Sequence, residues 1–193
     1  LKVRLEARWP RCIFNAINVG IGGDSAPGGL ARLPRDVIPH RPDLVTIAFG
    51  LNDANNGEEG RPRFATALRG IAQALREHTE ADLVFLTPSF MNSGDAGQAV
   101  AGMHRAADLP ARFAAIQNGG LLGRYADDVR MVAAECGCPV ADVYRAWEEL
   151  AESGVDTTAM LANGLNHPDR EAHQIPADLL MALVDPDFPG EEE

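Results

Sequence analysis

The sequence is short of cysteine, of positive charge and of long apolar runs, and each shortage removes a class of protein. Its three cysteines in 193 residues cannot all pair within the chain, and Cys136 and Cys138 are separated by a single glycine, too close for an ordinary disulfide. That argues against a disulfide scaffold. Cys12 or a distant histidine could join them around a metal, but the spacing matches no common zinc pattern, so buried free thiols and no metal are expected. Lys and Arg number 17 against 28 Asp and Glu, a formal charge of −11, and no basic stripe gathers on one segment. A phosphate backbone would meet net repulsion, and nucleic acid is not an expected partner. The longest apolar stretches, residues 44–49 and 83–86, fall far below the roughly 18 residues of a membrane span. A soluble protein is expected. No initiator methionine, basic segment or signal-like apolar core stands at the start of the sequence, which leaves the compartment open, with the cytoplasm favoured. Oligomeric state is not fixed by the sequence.

What is present reads as one globular domain over residues 1–189, followed by an acidic tail, residues 190–193, with no apolar partner and expected to be disordered. Residues 12–19 (CIFNAINV), 43–50 (DLVTIAFG), 81–87 (ADLVFLT) and 138–143 (CPVADV) are short, rich in Val and Ile, and closed by Gly, Pro or Asn. They read as strands, and the middle two are apolar enough to be buried on both faces. Helical patterns lie between and after them, at residues 29–38, 63–80, 111–135, 145–153 and 172–184. The second of these sets Phe64, Leu68, Ile71 and Leu75 on one stripe, and residues 119–123 (GGLLG) predict a break in the third. Strand alternating with helix predicts an α/β fold, a three-layer α/β/α sandwich around a parallel, flavodoxin-like sheet. Ligands in such sheets sit outside the carboxyl ends of the strands. Residues 1–8 (LKVRLEAR) read as the end of an amphipathic helix with Leu1, Leu5 and Trp9 on one side, so the sheet is expected to lack the strand that would come before it.

Four local patterns carry possible chemistry. Residues 18–29 (NVGIGGDSAPGG) form a glycine-rich loop after a strand, able to bring backbone N–H groups close to an anion. A dinucleotide fingerprint fits it poorly, because Asp43 opens its strand where an acid closing it is required. In residues 49–54 (FGLNDA) the Asn52 amide can aim its NH₂ at a developing negative charge, which an aspartate cannot do; a plain Asn-Asp turn is the alternative. Residues 163–168 (NGLNHP) hold His167 on a turn ahead of a helix, a placement open to a general base. His40, His78 and His104 read as surface, and His173 as core or support. The tripeptide Gly23-Asp24-Ser25 has the look of a nucleophile turn, which taken literally makes Ser25 the attacking group.

In this order and at these separations the patterns resemble the SGNH or GDSL hydrolases, a superfamily of serine esterases, lipases and acyl-thioesterases. Gly50-Leu51-Asn52-Asp53 is similar to the family's third block, Asn166-His167-Pro168 to its fourth, and residues 18–33 to its second block and following helix. The likeness covers nearly the whole chain. Twenty-nine positions separate Gly23 from Asn52, room for one helix and one strand, whereas the family's nucleophile block lies a further strand and helix upstream. Gly23 therefore matches the second-block glycine, and the resemblance places the attacking serine before Leu1. It implies acyl transfer through a covalent serine ester, with His167 as base, Gly23 and Asn52 as oxyanion donors, no cofactor, and a small-molecule ester as substrate. The family's carboxylate position, three residues before the histidine, holds Gly164 here. Asn163 is then expected to orient the ring, ahead of Asp156 or Asp169. Asp24, Ser25 and Asp53 are expected beside the substrate, and residues 89–97 to border its pocket with Phe90 and Met91. Two other readings stay open: a non-catalytic binding domain of the same fold, and a flavodoxin-like nucleotide binder.

Overall fold

The computed structural model describes residues 1–94 and 108–185. Among these, the order of elements is α1 (Lys2–Arg8), α2 (Ala26–Asp36), β1 (Leu44–Ala48), α3 (Arg61–His78), β2 (Asp82–Leu86), α4 (Leu109–Asn118), α5 (Leu121–Glu135), β3 (Val140–Ala141), α6 (Val143–Glu152) and α7 (Gln174–Val184). The strands form one parallel sheet in the order β1-β2-β3, with Leu44 opposite Asp82, Ala48 opposite Leu86 and Leu86 opposite Ala141. Because every strand runs the same way, the loops after β1, β2 and β3 open on one edge, and that edge is where a site can be built.

The helical stripe of α3 turns inward as its period requires: Phe64, Leu68, Ile71 and Leu75 are each at most 2% exposed. Each such side chain contributes about 2 kcal/mol by burial. They share one core with Leu122, Tyr125, Val129 and Val132 of α5 and with Phe85 of β2. A smaller cluster of Val84, Ala141 and Leu180, with Leu1 and Leu44 against it, fixes α7 to the sheet. Helix α1 has no fully buried residue. It is held to α7 by an ion pair of Arg4 with Asp178 and a hydrogen bond from Arg4 to Gln174, and by an ion pair of Arg8 with Asp185 just past the end of that helix. The predicted break falls where expected: α4 ends at Asn118, and Gly120, at φ +69°, precedes α5.

Several expectations are corrected. Residues 12–19 form no strand, and Ile13 and Ile17 are 91% and 56% exposed. A strand exists only as part of a ladder, and no described strand reaches this segment. For the same reason β1 is an edge strand, with Thr46 and Ala48 exposed, where burial on both faces was predicted; β2 is covered as expected. The last strand shrinks to Val140–Ala141. Cys12 is exposed and Cys136 and Cys138 are half-buried, all three as free thiols. His173 is exposed at the start of α7, outside the core. His104 and residues 190–193 lie outside the described residues.

Candidate active site

The glycine-rich loop and the turn after β1 meet. Asp24 N–H donates to the Ile21 carbonyl at 3.1 Å, closing a turn in which Gly23 takes φ +79°. That dihedral favours glycine, and it matches the third position of a type II turn. No acceptor for the Gly23 N–H is found among the described residues, and the space a Cβ would fill there is open. From the other side, the Asn52 Nδ2 donates to the Asp24 carbonyl at 2.9 Å. The side-chain amide of one loop is thus bonded to the residue that follows Gly23 in the other.

Asp53 locks this pairing from beneath. It is 3% exposed, and its two carboxylate oxygens accept from Ala26 N–H at 3.0 Å and Gly50 N–H at 3.1 Å. One carboxylate therefore ties the start of α2 to the end of β1. Burial raises its pKa above the usual carboxylate value, and the backbone hydrogen bonds oppose the rise. With both oxygens spent and the side chain enclosed, Asp53 supports the turn from below, where a place beside the substrate was expected. Ser25 is half-buried as the residue before α2, and its side chain makes no capping hydrogen bond.

The histidine turn reaches the same edge of the sheet by way of the loop after β2. The backbone N–H of Asn92, a fully buried residue, donates to the Leu165 carbonyl at 2.7 Å, and Ser93 N–H donates to Thr158 Oγ1 at 3.1 Å. Asn163 Oδ1 accepts from the backbone N–H groups of Leu165, Asn166 and His167, each at 3.0 Å, while its Nδ2 donates to Asn166 Oδ1. Asn163 thus shapes the turn that carries His167, and its amide is committed to the backbone of that turn and to the Asn166 side chain, where contact with the ring was expected. Asp156 and Asp169 likewise accept backbone N–H groups of their own turns. His167 is exposed.

Phe90 and Met91 are packed into the core and line neither of the two cavities beside β1. They are 6% and 0% exposed; the Phe90 ring lies 4.8 Å from Tyr144 and 5.9 Å from Trp147 between centroids. Their placement depends on α6, which is remote in sequence, so a position just after a strand misreads them. Residues 95–97 of the expected pocket border lie outside the described residues.

A cleft that the sequence did not announce runs along the free edge of β1. A cavity of about 400 Å³ separates Val45, Ala48 and Phe49 from Ile17 and Val19, with Leu33 on its floor. It shares Gly20, Arg32, Ala48 and Phe49 with a second cavity of about 150 Å³ that ends at Asp24 and Asn52. The cleft therefore follows β1 from an unpaired strand edge to Asp24 and Asn52.

Comparison with known proteins bears on the family and the fold. The sequence profile of the GDSL-like Lipase/Acylhydrolase family matches residues 2–175. An arylesterase of Vibrio mimicus is 40% identical over 63 residues, 28% of this chain and 32% of that protein. Esterase TesA of Pseudomonas aeruginosa is 43% identical over 44 residues, 23% of this chain and 22% of that protein. The chain thus spans about a third and about a fifth of these curated relatives in the matched regions. Among solved structures, Axe2, an acetylxylan esterase from Geobacillus stearothermophilus, superposes with a TM-score of 0.73 at 20% identity, over 99% of this chain and 82% of that one. LAE5, an alpha/beta hydrolase enzyme from the metagenome of Lake Arreo, gives 0.68 at 23% identity, over 93% and 77%. At these identities the structural likeness establishes the α/β fold.

Proposed function

This chain belongs to the GDSL-like lipase/acylhydrolase family, and we propose that it supplies the oxyanion site and general base of a serine-type ester hydrolase acting on a small-molecule ester. The carrying observation is the 2.9 Å contact of the Asn52 amide with Asp24, which brings two loops together beside the uncommitted N–H of Gly23. A cleft ending at that contact supports a further point. The attacking serine is carried by a strand that lies along β1 and is not among these 193 residues; its carboxyl end would arrive at Asn52. Ser25 is then a turn residue. In that chemistry the serine Oγ forms a bond to the ester carbonyl carbon while His167 takes its proton. The Gly23 N–H and the Asn52 NH₂ hold the oxyanion. Collapse expels the alcohol, which regains the proton from His167, and water repeats the sequence on the acyl-enzyme. No step calls for a cofactor.

The test is hydrolysis of p-nitrophenyl acetate by the chain alone and by the chain joined at its amino end to a strand of alternating apolar residues closing in Gly-Asp-Ser. Turnover is expected only in the joined protein. Asn52→Ala should lower it about 100-fold, since one oxyanion donor is worth about 3 kcal/mol. His167→Ala should abolish it and Ser25→Ala should leave it unchanged. Turnover by the chain alone that disappears in Ser25→Ala would instead make Ser25 the nucleophile. Inactivity of both, with an ester analogue still bound, would favour a non-catalytic binding domain.

A further inference from the structure

Within the glycine loop that presents Gly23, the hydrogen bonds are short-range: Gly20 N–H to Asn18 Oδ1 at 2.9 Å and Asp24 N–H to the Ile21 carbonyl at 3.1 Å. Residues 20–23 are exposed, belong to no helix or strand, and include three glycines. Glycine offers the unfolded and misaligned backbone more states than any other residue, so a donor mounted there needs an external restraint. The restraint comes from Arg32 on α2, whose side chain is 14% exposed. Its Nη1 donates to the Val19 carbonyl at 2.6 Å and its Nε to Asp24 Oδ2 at 2.7 Å. Val19 and Asp24 are the two residues that bracket the loop. One guanidinium therefore pins both ends at once, and Asp36 Oδ2 at 3.3 Å steadies the guanidinium from the helix side.

Asp24 passes this restraint on. Its Oδ1 accepts the Ser25 N–H at 2.8 Å, and its main-chain carbonyl is the acceptor of the Asn52 amide. We infer that Arg32 is a positioning residue for the oxyanion site, setting the Gly23 N–H and the Asn52 NH₂ in register with each other through Val19 and Asp24. The inference rests on the reading of those two amides as donors for its consequence in catalysis. The positioning itself is independent of turnover. A planar guanidinium suits the task because it reaches two acceptors in fixed directions, whereas an ammonium offers a single charged point on a flexible stem.

The measurement is heteronuclear NMR on the 193-residue chain, reading the Gly23 backbone amide and the Asn52 side-chain NH₂, with the buried Gln117 side-chain NH₂ as a distant reference. In Arg32→Met, which keeps the stem and removes both donors, the Asn52 NH₂ should exchange with solvent at least about tenfold faster. The Gly23 resonance should move while Gln117 stays in place. Arg32→Lys should restore part of the protection. Arg130→Met, which removes a half-buried ion pair with Asp142 elsewhere, should leave Gly23 and Asn52 unchanged. Unaltered Gly23 and Asn52 signals in Arg32→Met would overturn the inference. So would equal disturbance in Arg130→Met, since the effect would then be general loosening. If Arg32→Met does not fold, Asp24→Asn weakens the same link and is read the same way. A protein that passes this test yet hydrolyses no ester in its joined form would refute the proposed reaction and leave the positioning intact.

Discussion

At Asp53 a nearly inaccessible carboxylate is held by two backbone N–H groups from elements 24 or more residues apart in sequence. Replacing it with alanine would leave both N–H groups without their acceptor in a buried setting, a loss expected to be about 3 kcal/mol in urea unfolding. Its pH behaviour has a definite sign. The folded-state pKa is raised, chiefly by burial, so the folded protein binds this proton more tightly than the unfolded chain. The associated stability is present below the ordinary carboxylate pKa and is lost as pH rises through the raised value. Asp53→Asn lacks that swing, so the advantage of the native chain over the variant should be larger at pH 3 than at pH 7; a constant difference would contradict the assignment. The turn at Gly23 and the donor at Asn52 were legible in the sequence because turn chemistry is local: a positive φ and an amide donor are written in the residue itself. The burial of Asp53, Phe90 and Met91 was not legible there, because their surroundings come from α2 and α6. Arg32 carried only the signal of an arginine on a predicted helix, eight positions after Asp24.

Among the elements, α6 shows how a helix start is built from remote partners. Asp142, the residue before the helix, accepts the Arg145 N–H at 3.3 Å, the Thr87 hydroxyl at 2.9 Å and both Nε and Nη2 of Arg130 at 2.8 and 2.9 Å. Burial pushes its pKa up, but the hydrogen bonds from Arg130 and Thr87 prevail and leave it lowered. The stability this gives is present above the ordinary carboxylate pKa and is lost as pH falls through the lowered one. Asp142→Ala should cost about 2 kcal/mol at pH 7, from the lost cap and its charge-assisted bonds, and distinctly less at pH 2; thermal unfolding at the two pH values checks it. Helices α2 to α7 and strands β1 and β2 were readable from period and length. Residues 12–19 have a strand's composition without a strand's partner, and no local pattern reports whether a ladder neighbour is present. The same blindness put β1 inside the sheet when it lies at the edge.

For the molecule as a whole, parallel strand order puts the Asn52 turn and the Asn92 loop at the same end of the sheet; the glycine loop is tied to the first and the histidine turn to the second. The long cleft beside β1 leads to that same end. The α/β architecture was legible from alternation alone. The cleft was not, since it is a property of how an edge strand, α2 and an extended segment stand relative to one another. The proposed function rests on these contacts: it reads the Gly23 and Asn52 amides as oxyanion donors and His167, on a turn tied to the loop after β2, as the base. A fluorophosphonate probe reports on it most directly, because it bonds covalently only to an activated serine and its position is read by peptide mass mapping. In the chain joined to a strand closing in Gly-Asp-Ser, the expected result is one label on the serine of that strand. Labelling should be lost in His167→Ala and strongly slowed in Asn52→Ala. A label on Ser25, or labelling of the joined serine that is indifferent to both substitutions, would contradict the account.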